Sequence, residues 1–293
     1  MGTPAKASRD VTVVPTGAAL GAEVAGADLR ALDGDTFQFI RRAWLAYQVI
    51  VLRGQRLDDD ALIAFSRRFG ELDEAPVQEN GRRFVEGHPE IYVVSNVLER
   101  GVPIGSLGSG EAVWHTDMSY VPRPPKASIL YALEVPPSGG ETSFCSTTAA
   151  WDTLSTDLRA RIVGLRVKHD GTYNSGGYVR EGVNISDDPR TAAGVFHPLV
   201  CLHPETGRRS LYLGRRRNAY IEDLALDESE ALLDILWTHA TRPELAWEHS
   251  WRPGDIVLWD NRSTMNRRKA FDPEARRVLH RTQIRADSVP RTG

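Results

Sequence analysis

A histidine and an aspartate two residues apart are the side chains of this sequence best suited to metal chemistry. His115 and Asp117 occur in the stretch VWHTDMSY. On an extended strand, residues i and i+2 point to the same face, so an imidazole nitrogen and a carboxylate can occupy neighbouring positions around a divalent metal. With one more ligand they would form the facial triad of non-haem iron oxygenases, which leaves positions open for a cosubstrate and oxygen. A His-x-Asp pair by itself is a weak indication, because it occurs by chance in many proteins.

The C-terminal stretch RRVLHRTQIRAD could add positive charge to the same site. On an extended strand one face carries Arg277 and Arg281, and the opposite face carries Val278 and His280. A buried guanidinium without a partner is costly, so two inward-facing arginines would each require an anion. The opposite placement, with the valine and the histidine inside, is equally compatible with hydrophobicity. The strand alone leaves both placements open.

Three segments of the sequence have the apolar periodicity of amphipathic helices. The first two, residues 36–47 and 59–69, flank the β-branched stretch YQVIVLRG, which is typical of a buried strand. The third runs from about residue 228 to residue 239, with Asp227 as the predicted N-cap and Glu230 in the reciprocal position of a capping box.

After about residue 90 the sequence changes to short β-rich stretches separated by turns. The predicted strands are IYVVSNV, ASILYAL, ETSFCS, LRVKHDG, RRSLYL, DIVLWDN and RRVLHRTQIRAD. Pro-Pro and Gly-Gly pairs separate them, as in EVPPSGGET. A mainly β chain with few helices predicts a sandwich or jelly roll with the helices packed outside. No repeat or linker divides the chain, so we expect one domain over residues 1–293, with flexible tails at about 1–10 and 287–293.

The composition is that of an ordinary globular protein and narrows the possible partners. The formal net charge of −3 provides no overall field to hold nucleic acid. Cys145 and Cys201 are too few for a disulfide framework or a zinc ribbon, so we expect two buried thiols. The N-terminus lacks the apolar core of a secretory signal, and no apolar run approaches the roughly 20 residues of a membrane helix. We therefore expect a cytoplasmic protein that binds neither nucleic acid nor membrane.

Several long motifs, in a characteristic order, extend the indication given by His-x-Asp. They are WHTDMSY, PPSGGET, HPLVCLHPETGRRSLYL, WRPGDIVLWDNR and RRVLHRT. With these motifs the sequence resembles the iron(II)/2-oxoglutarate-dependent dioxygenases related to taurine dioxygenase and 2,4-dichlorophenoxyacetate dioxygenase, over most of its length. The segment KHDGTYNSGGY and the residues around WDNRSTM resemble the aryloxyalkanoate-degrading branch more closely.

The resemblance implies a fold and a role for each matching residue. The fold would be a double-stranded β-helix, a cupin-like jelly-roll barrel with flanking helices and the iron near one mouth. His115 and Asp117 would be iron ligands, and Thr142 and Arg277 would bind the distal carboxylate of 2-oxoglutarate. Arg281 would bind the anionic group of the substrate. These roles require both arginines to face inward.

One position departs from the family pattern. The stretch LWDNRSTMNRRKAF ends a strand-like run and then turns through polar residues, and the family has its second histidine ligand where this chain has Asn266. An amide oxygen is a weaker ligand for iron(II) than an imidazole nitrogen, and asparagine is shorter. Four interpretations remain open: a substitution introduced into an enzyme whose natural form has histidine, a natural site with asparagine or water as third ligand, a relative that binds without turnover, or a different alignment of this motif.

Other histidines are poor substitutes for the missing ligand. His280 alternates to the strand face opposite the two arginines, and His249 would have to cross the barrel. The remaining histidines have no spacing argument in their favour and are expected to be structural or exposed: His88, His169, His197, His203 and His239.

The resemblance therefore implies an iron(II)- and 2-oxoglutarate-dependent oxygenase that uses O2 and hydroxylates a small anionic organic substrate. An aryloxyalkanoate such as 2,4-dichlorophenoxyacetate would be cleaved to a phenol and glyoxylate. The alternatives are a taurine-like sulfonate dioxygenase, an inactive ligand-binding relative and, less favoured because only one His-x-Asp pair is present, a cupin-like metal hydrolase or isomerase. The loop TYNSGGY, residues 172–178, would either close over the substrate or form a flexible surface turn. The family also implies a homo-oligomer.

Overall fold

Two mainly antiparallel sheets, with helices outside them, form the framework that positions the candidate site. The computed structural model describes residues 11–77, 83–174 and 176–293. The helices are α1 (Gly34–Tyr47), α2 (Asp59–Arg67), α3 (Thr147–Thr153), α4 (Thr156–Ile162) and α5 (Leu226–Ala240). The strands are β1 (Thr12–Pro15), β2 (Ala22–Ala25), β3 (Val49–Leu52), β4 (Tyr92–Ser95), β5 (Leu98–Glu99), β6 (Val102–Pro103), β7 (Ser106–Leu107), β8 (Ala112–His115), β9 (Ala127–Glu134), β10 (Thr142–Ser146), β11 (Arg166–Asp170), β12 (Gly194–Pro198), β13 (Val200–Leu202), β14 (Arg209–Leu211), β15 (Tyr220–Ile221), β16 (Ala246–His249), β17 (Ile256–Asp260), β18 (Thr264–Arg268) and β19 (Val278–Ile284).

The larger sheet has the strand order β1-β2-β3-β17-β9-β19-β4-β7, and the smaller sheet has the order β16-β10-β18-β8. Apart from β1, β2 and β3, neighbouring strands in these sheets are not consecutive in sequence, so the chain crosses repeatedly between the sheets, as a jelly roll requires. The predicted mainly β jelly roll with flanking helices is confirmed. Three further strands pair in the order β12-β11-β15 outside the two main sheets.

Central strands of the larger sheet are buried on both faces. In β3, Val49 and Val51 pack toward the smaller sheet, whereas Ile50 and Leu52 pack in the core beneath α1 and α2. Period-two alternation and double burial explain why the stretch VIVL is apolar throughout, as predicted for YQVIVLRG. The same alternation in β19 places Leu279 between the sheets, so the residues two positions away from it face the same interior.

The first two predicted helices are present. Asp33 caps α1 by accepting from the Thr36 N–H, and Asp58 caps α2 by accepting from the Ala61 N–H. Phe69, predicted as the last residue of the second helix, lies beyond the end of α2 but packs edge-on against Phe65 and other aromatic rings of the core. No helix within the described ranges is long and apolar enough to cross a membrane.

The predicted start of the third helix is wrong by two residues. The helix α5 begins at Leu226, and its N-cap position, Ala225, provides no side-chain hydrogen bond. Asp227 therefore lies inside the first turn, and Glu230 instead pairs with Arg216, with Nη2 and Oε2 2.7 Å apart. Because the N-cap is Ala225, Glu230 lies five residues after it and not in the reciprocal position of a capping box, which is three residues after the N-cap.

The C-terminal segment is ordered by backbone pairing where a flexible tail was expected. Leu202 N donates to Arg291 O at 3.0 Å, and Gly293 N donates to Val200 O at 3.1 Å. The segment thus adds to the edge of β13, and its residues are not a free tail. The other predicted tail, residues 1–10, lies outside the described residues. Cys145 and Cys201 are both buried free thiols, as predicted.

Candidate active site

The predicted site residues surround one small cavity between the two sheets. Its volume is about 50 Å³. Its lining includes His115, Asp117, Thr142, Asn266, Arg277 and Arg281. Four separate segments of the chain contribute these side chains, so the fold, and not their proximity in sequence, brings them together.

His115 and Asp117 converge, although not through the strand geometry that the sequence suggested. His115 is the last residue of β8, and Asp117 lies in the turn that follows, beside Met118 with a φ of 47°. The expectation of one continuous extended strand is therefore wrong. The turn nevertheless brings His115 Nε2 to 3.2 Å from Asp117 Oδ1.

A hydrogen bond orients the His115 ring for ligation. His115 Nδ1 lies 2.8 Å from the carbonyl oxygen of Val113, which can only accept, so Nδ1 carries a proton. In the neutral imidazole this leaves the Nε2 lone pair pointing toward the Asp117 carboxylate. Two atoms that both carry lone pairs repel each other at this distance unless a cation, either a proton or a metal ion, lies between them. The donor set thus fits a divalent metal.

Asp117 is held by neutral donors that sequence analysis did not identify. Ser128 Oγ donates to Asp117 Oδ2 at 2.7 Å, and Asn261 Nδ2 donates to Ser128 Oγ at 3.0 Å. Gln283 Nε2 also lies 3.4 Å from Asp117 Oδ2. Such partners fix the orientation of a ligating carboxylate. Alternation along β9, which places Leu130 and therefore Ser128 on the inner face, was the available signal.

The Asp117 carboxyl remains ionised despite its burial. Burial by itself raises the pKa of Asp117, but a hydrogen bond with a proton between its carboxylate and His115, together with the charge of Arg281, outweighs burial and holds the pKa below its ordinary value. Arg281 Nη1 is 3.7 Å from Asp117 Oδ2. The site therefore presents an anionic oxygen ligand at neutral pH.

Asn266 occupies the third corner of this arrangement. It lies in β18, where sequence analysis predicted a polar turn; the turn is limited to residues 261–263, and the strand begins at Thr264. Asn266 is the Cα partner of His115 in the β18–β8 ladder. Its Nδ2 is 3.4 Å from the His115 carbonyl oxygen, and its Oδ1 accepts no hydrogen bond from a residue that the structure describes.

The far side of the cavity carries positive charge that could hold an anion. Arg277 is only 1% exposed, yet its Nε and Nη1 have no hydrogen-bond partner among the described residues. The Thr142 hydroxyl lines the same cavity and accepts a hydrogen bond from Trp251 Nε1 at 3.0 Å. Because that oxygen already accepts from the indole, its own proton is free to point into the cavity. An unpaired buried guanidinium beside a hydroxyl donor fits the carboxylate of 2-oxoglutarate.

Arg268 is a second buried arginine that adds positive charge to this side of the cavity. The sequence did not indicate it as a site residue. It lies two residues after Asn266 on the same face of β18 and lines the same cavity. Its Nη2 donates to the carbonyl oxygens of Leu107 and Gly110. Burial lowers the pKa of Arg268 to about 10, and burial together with Arg268 lowers the pKa of Arg277 to about 9. Two buried cations without a carboxylate are most stable when an anion binds between them.

The Gly-Gly turn before Thr142 allows the chain to pass close to this positively charged side of the cavity. Gly139 and Gly140 have φ values of 78° and 71°, which residues with a Cβ rarely adopt. A Cβ on Gly140 would lie 3.3 Å from Arg277 Nε. The motif PPSGGET is therefore needed both for the turn and for the close approach of the backbone to the arginine.

Arg281 connects the inner cavity to a larger one. The larger cavity has a volume of about 320 Å³ and shares His115, Asp117 and Arg281 with the inner one. The Arg281 guanidinium lies 4.5 Å from the centre of the Tyr92 ring, which supports it from one side. Asn174, from the predicted TYNSGGY loop, also lines this cavity; Ser175 of that loop lies outside the described residues.

The other histidines do not complete the site. His280 points away as predicted, with Nδ1 2.6 Å from Asp59 Oδ1 on α2. His249 Nε2 is 3.1 Å from Asp255 Oδ2 instead. Within the part of the chain that the structure describes, no three His, Cys, Asp or Glu side chains form a group that could hold a metal ion. A third protein ligand would have to be the amide of Asn266.

Known proteins match the chain over nearly its whole length. Pentalenolactone F synthase from Streptomyces arenae is 38% identical over 283 residues, which covers 92% of this chain and 93% of the relative. The alpha-ketoglutarate-dependent 2,4-dichlorophenoxyacetate dioxygenase from Burkholderia sp. (strain RASC) is 36% identical over 241 residues, 80% of each protein.

Solved structures also match the chain over nearly its whole length. A taurine dioxygenase from Burkholderia xenovorans matches with a TM-score of 0.77 and 35% identity, covering 97% of this chain and 93% of that chain. AAD-2 in complex with Mn(II) and N-oxalylglycine matches with a TM-score of 0.76 and 29% identity, covering 95% of this chain and 98% of that chain. Residues 12–283 match the model of the family described as taurine catabolism dioxygenase TauD, TfdA family. The chain therefore belongs to the TauD/TfdA family of 2-oxoglutarate-dependent dioxygenases, whose cofactors are iron(II) and 2-oxoglutarate.

Proposed function

We propose that the chain hydroxylates a small anionic organic substrate, an aryloxyalkanoate such as 2,4-dichlorophenoxyacetate, with iron(II), 2-oxoglutarate and O2. The observation that carries this proposal is the inner cavity, where a histidine–aspartate pair faces a buried, unpaired arginine. One group of side chains suits a metal ion and the other suits a carboxylate.

The roles divide between the two ends of the inner cavity. His115 and Asp117 hold iron(II), and Asn266 Oδ1 supplies the third protein ligand. Arg277 and the Thr142 hydroxyl bind the distal carboxylate of 2-oxoglutarate through charge-assisted hydrogen bonds. When bound, iron(II) and 2-oxoglutarate would supply the activation of O2: one oxygen atom would convert a substrate C–H bond into C–OH, and the other would enter the succinate that forms as 2-oxoglutarate loses carbon dioxide.

The chain's own residues position the substrate and exclude water. Arg281 lies at the junction of the two cavities, where it can hold the substrate's anionic group beside Asp117. Most residues that line the inner cavity are buried, so bulk water has little access to it. Hydroxylation of the carbon next to an aryl ether oxygen gives a hemiacetal, which breaks down to a phenol and glyoxylate.

Asn266 supports a second candidate function, a relative that binds its ligands without turnover. An amide oxygen binds iron(II) more weakly than an imidazole nitrogen does, so the metal would be held mainly by two residues. The retained anion site, with Arg277 and Thr142 in place, predicts 2-oxoglutarate binding under either function. Taurine-like sulfonates are an alternative substrate class, because Arg281 can pair with a sulfonate as well as with a carboxylate.

Succinate formation tests the proposed function. The chain is incubated with iron(II), 2-oxoglutarate, O2 and each member of a panel of aryloxyalkanoates and sulfonates. We expect succinate together with an equal amount of phenol from an aryloxyalkanoate. Succinate with sulfonates alone would assign the sulfonate alternative. Binding of 2-oxoglutarate without succinate from any compound would assign the ligand-binding function.

A further inference from the structure

The larger cavity contains more positive charge than a substrate with one anionic group requires. Besides Arg281, it is lined by Arg180 and Arg215, with Tyr120 and Asp170 on the same wall. Neither of these two additional arginines has a place in the function proposed above. Their environments differ from those of surface arginines in ways that indicate a ligand.

Arg215 is a buried cation without a counter-ion. Its side chain is 7% exposed, and its Nη1 donates to the Tyr173 carbonyl oxygen. Its Nε is buried without a hydrogen-bond partner, and no carboxylate of the described residues forms an ion pair with it within 4.0 Å. Burial and the neighbouring Arg180 guanidinium lower the pKa of Arg215 to about 10. Such a group is stabilised when an anion enters the cavity.

Arg180 is held in place by an aromatic ring. Its guanidinium carbon lies 3.8 Å from the centre of the Tyr120 ring, and its backbone N–H donates to Thr172 O at 2.8 Å. Its Nε is also buried without a hydrogen-bond partner in the described part of the chain. Stacking fixes the plane of a guanidinium but leaves its edge available for hydrogen bonds to an oxyanion.

The carboxylates that line the cavity are already engaged. Asp117 belongs to the metal pair, and Glu74 is paired with Arg83 at 2.6 Å. Asp170 accepts hydrogen bonds from the backbone N–H groups of Thr172 and Tyr173, at 2.9 and 3.1 Å. Arg281 faces Asp117 at 3.7 Å, so Asp170 is the further carboxylate of the described lining that can offset Arg180 and Arg215, and this pair carries a net excess of positive charge.

We propose that Arg180 and Arg215 form a second anion subsite, so that the substrate carries two anionic groups, one bound at Arg281 and the other at this pair. The inference rests on the proposed function, because it takes Arg281 as the first anchor. The second group is an oxyanion, a carboxylate, sulfate or phosphate. The cavity of about 320 Å³ has room for an aromatic ring between the two groups.

Three probes that differ only at one ring position separate this subsite from general attraction to anions. They are phenoxyacetate, 4-carbamoylphenoxyacetate and 4-carboxyphenoxyacetate; the amide and the carboxylate have nearly the same shape, so their affinity ratio isolates the charge. Binding is measured by calorimetry with iron(II) and 2-oxoglutarate present and oxygen excluded. We expect the carboxylate to bind about 10-fold or more tightly than the amide. The 3-substituted pair and the 4-sulfo compound test the position and the type of the oxyanion.

Two variants assign the charge effect to the pair. Arg180→Gln and Arg215→Gln should each reduce the carboxylate-to-amide affinity ratio toward one. Arg208→Gln, which removes an exposed arginine paired with Asp152, should retain the ratio of the native chain. Arg180→Gln keeps the test valid if Arg215→Gln disturbs the loop through its contact with Tyr173.

The inference would be overturned by equal affinities for the carboxylate and the amide at both ring positions. It would also be overturned if Arg180→Gln and Arg215→Gln both retained the carboxylate-to-amide affinity ratio of the native chain. This failure is distinguishable from failure of the proposed function. Succinate formed from all probes with equal affinities contradicts the second subsite alone. If the carboxylate-to-amide affinity ratio falls toward one in both variants and no probe yields succinate, the result supports the subsite and contradicts the hydroxylation.

Discussion

Asn266 and His115 are direct partners across the β18–β8 ladder, with Asn266 Nδ2 3.4 Å from the His115 carbonyl oxygen. The side chains of paired residues lie on the same face of a sheet, about 4.5–5.5 Å apart at Cβ. Position 266 is therefore close enough to share a metal ion with His115 and Asp117. This relationship makes the asparagine the most consequential residue of the site, because the framework that would present a ligand is intact.

Arg277 should control 2-oxoglutarate affinity. Its two unpaired nitrogens predict that Arg277→Met weakens 2-oxoglutarate binding on the order of 100-fold, since a buried charge-assisted pair is lost. The same change removes an uncompensated buried charge, so the free energy of unfolding of the ligand-free protein should rise by about 1 kcal/mol or more. Calorimetric titration and chemical denaturation measure the two effects.

Arg276→Met is the matched control for this prediction. Arg276 is the preceding residue, but it is exposed and paired with Glu134, with Nε and Oε2 2.6 Å apart. Its replacement should leave 2-oxoglutarate affinity within about twofold, because an exposed ion pair contributes little. If Arg277→Met destabilised the ligand-free protein and bound 2-oxoglutarate normally, the arginine would be structural.

Trp251 should act as a positioning residue for Thr142. Trp251→Phe removes the indole N–H that donates to Thr142 Oγ1 at 3.0 Å, which frees the hydroxyl to rotate away from the cavity. We expect about a fivefold loss of 2-oxoglutarate affinity, the value of one ordinary hydrogen bond, with metal affinity unchanged. Trp114→Phe is the control, since Trp114 packs against Arg267 instead. Equal loss of metal and 2-oxoglutarate affinity would point to general disruption.

Asp260 should stabilise the turn that leads into β18. Its carboxylate accepts from His203 Nε2 at 2.9 Å and pairs with Arg262 Nη2 at 2.6 Å. Asp260→Asn removes the buried charge that faces His203 and Arg262, leaves Arg262 with Glu205 at 2.7 Å, and should lower the free energy of unfolding by about 3 kcal/mol at pH 7. Urea denaturation of the variant measures this loss. The exposed Asp187→Asn serves as the control and should change little.

The contribution of Asp260 should depend on pH. Burial raises the pKa of its carboxyl, but the charge and hydrogen bonds of Arg262, with His203, outweigh burial and hold the pKa below the ordinary value of 3.8. A depressed carboxyl pKa stabilises the folded state above the unfolded value and loses this effect as the pH falls. The stability difference between native protein and Asp260→Asn should therefore be constant from pH 7 to about 5 and shrink below about pH 4. A difference that grew on acidification would contradict the assignment.

Alternation made part of the site predictable from sequence. The period of two predicted that Arg277 and Arg281 share one face; in the structure Arg277 directly precedes β19, Arg281 lies within it, and both line the inner cavity. The residues alone could not choose the inward face, because Val278 and His280 were equally suitable by hydrophobicity. The family motifs decided it. His280 is accommodated on the other face by Asp59, a partner from a distant helix that no local pattern indicates.

Other features depended on long-range contacts that the sequence does not display. The turn at Asp117 is stabilised through Ser128, which lies on β9, and Asn261, which lies in the turn after β17. Arg268 lies in the stretch LWDNRSTMNRRKAF, for which the sequence predicted a turn through polar residues after a strand-like run. The ladder with β10 and β8 makes this stretch a buried strand instead. Tertiary pairing overrode local composition in both cases.

Metal affinity in the native chain and in Asn266→His tests the central claim most directly. Manganese(II) or iron(II) is titrated without oxygen in the presence of 2-oxoglutarate, with Arg276→Met as a control remote from the metal. Because even partners that only orient a ligand affect metal affinity about 10–100-fold, we expect the imidazole to tighten binding by at least about 10-fold and to increase succinate formation. Unchanged metal affinity in Asn266→His would contradict the assignment of position 266 as a ligand position.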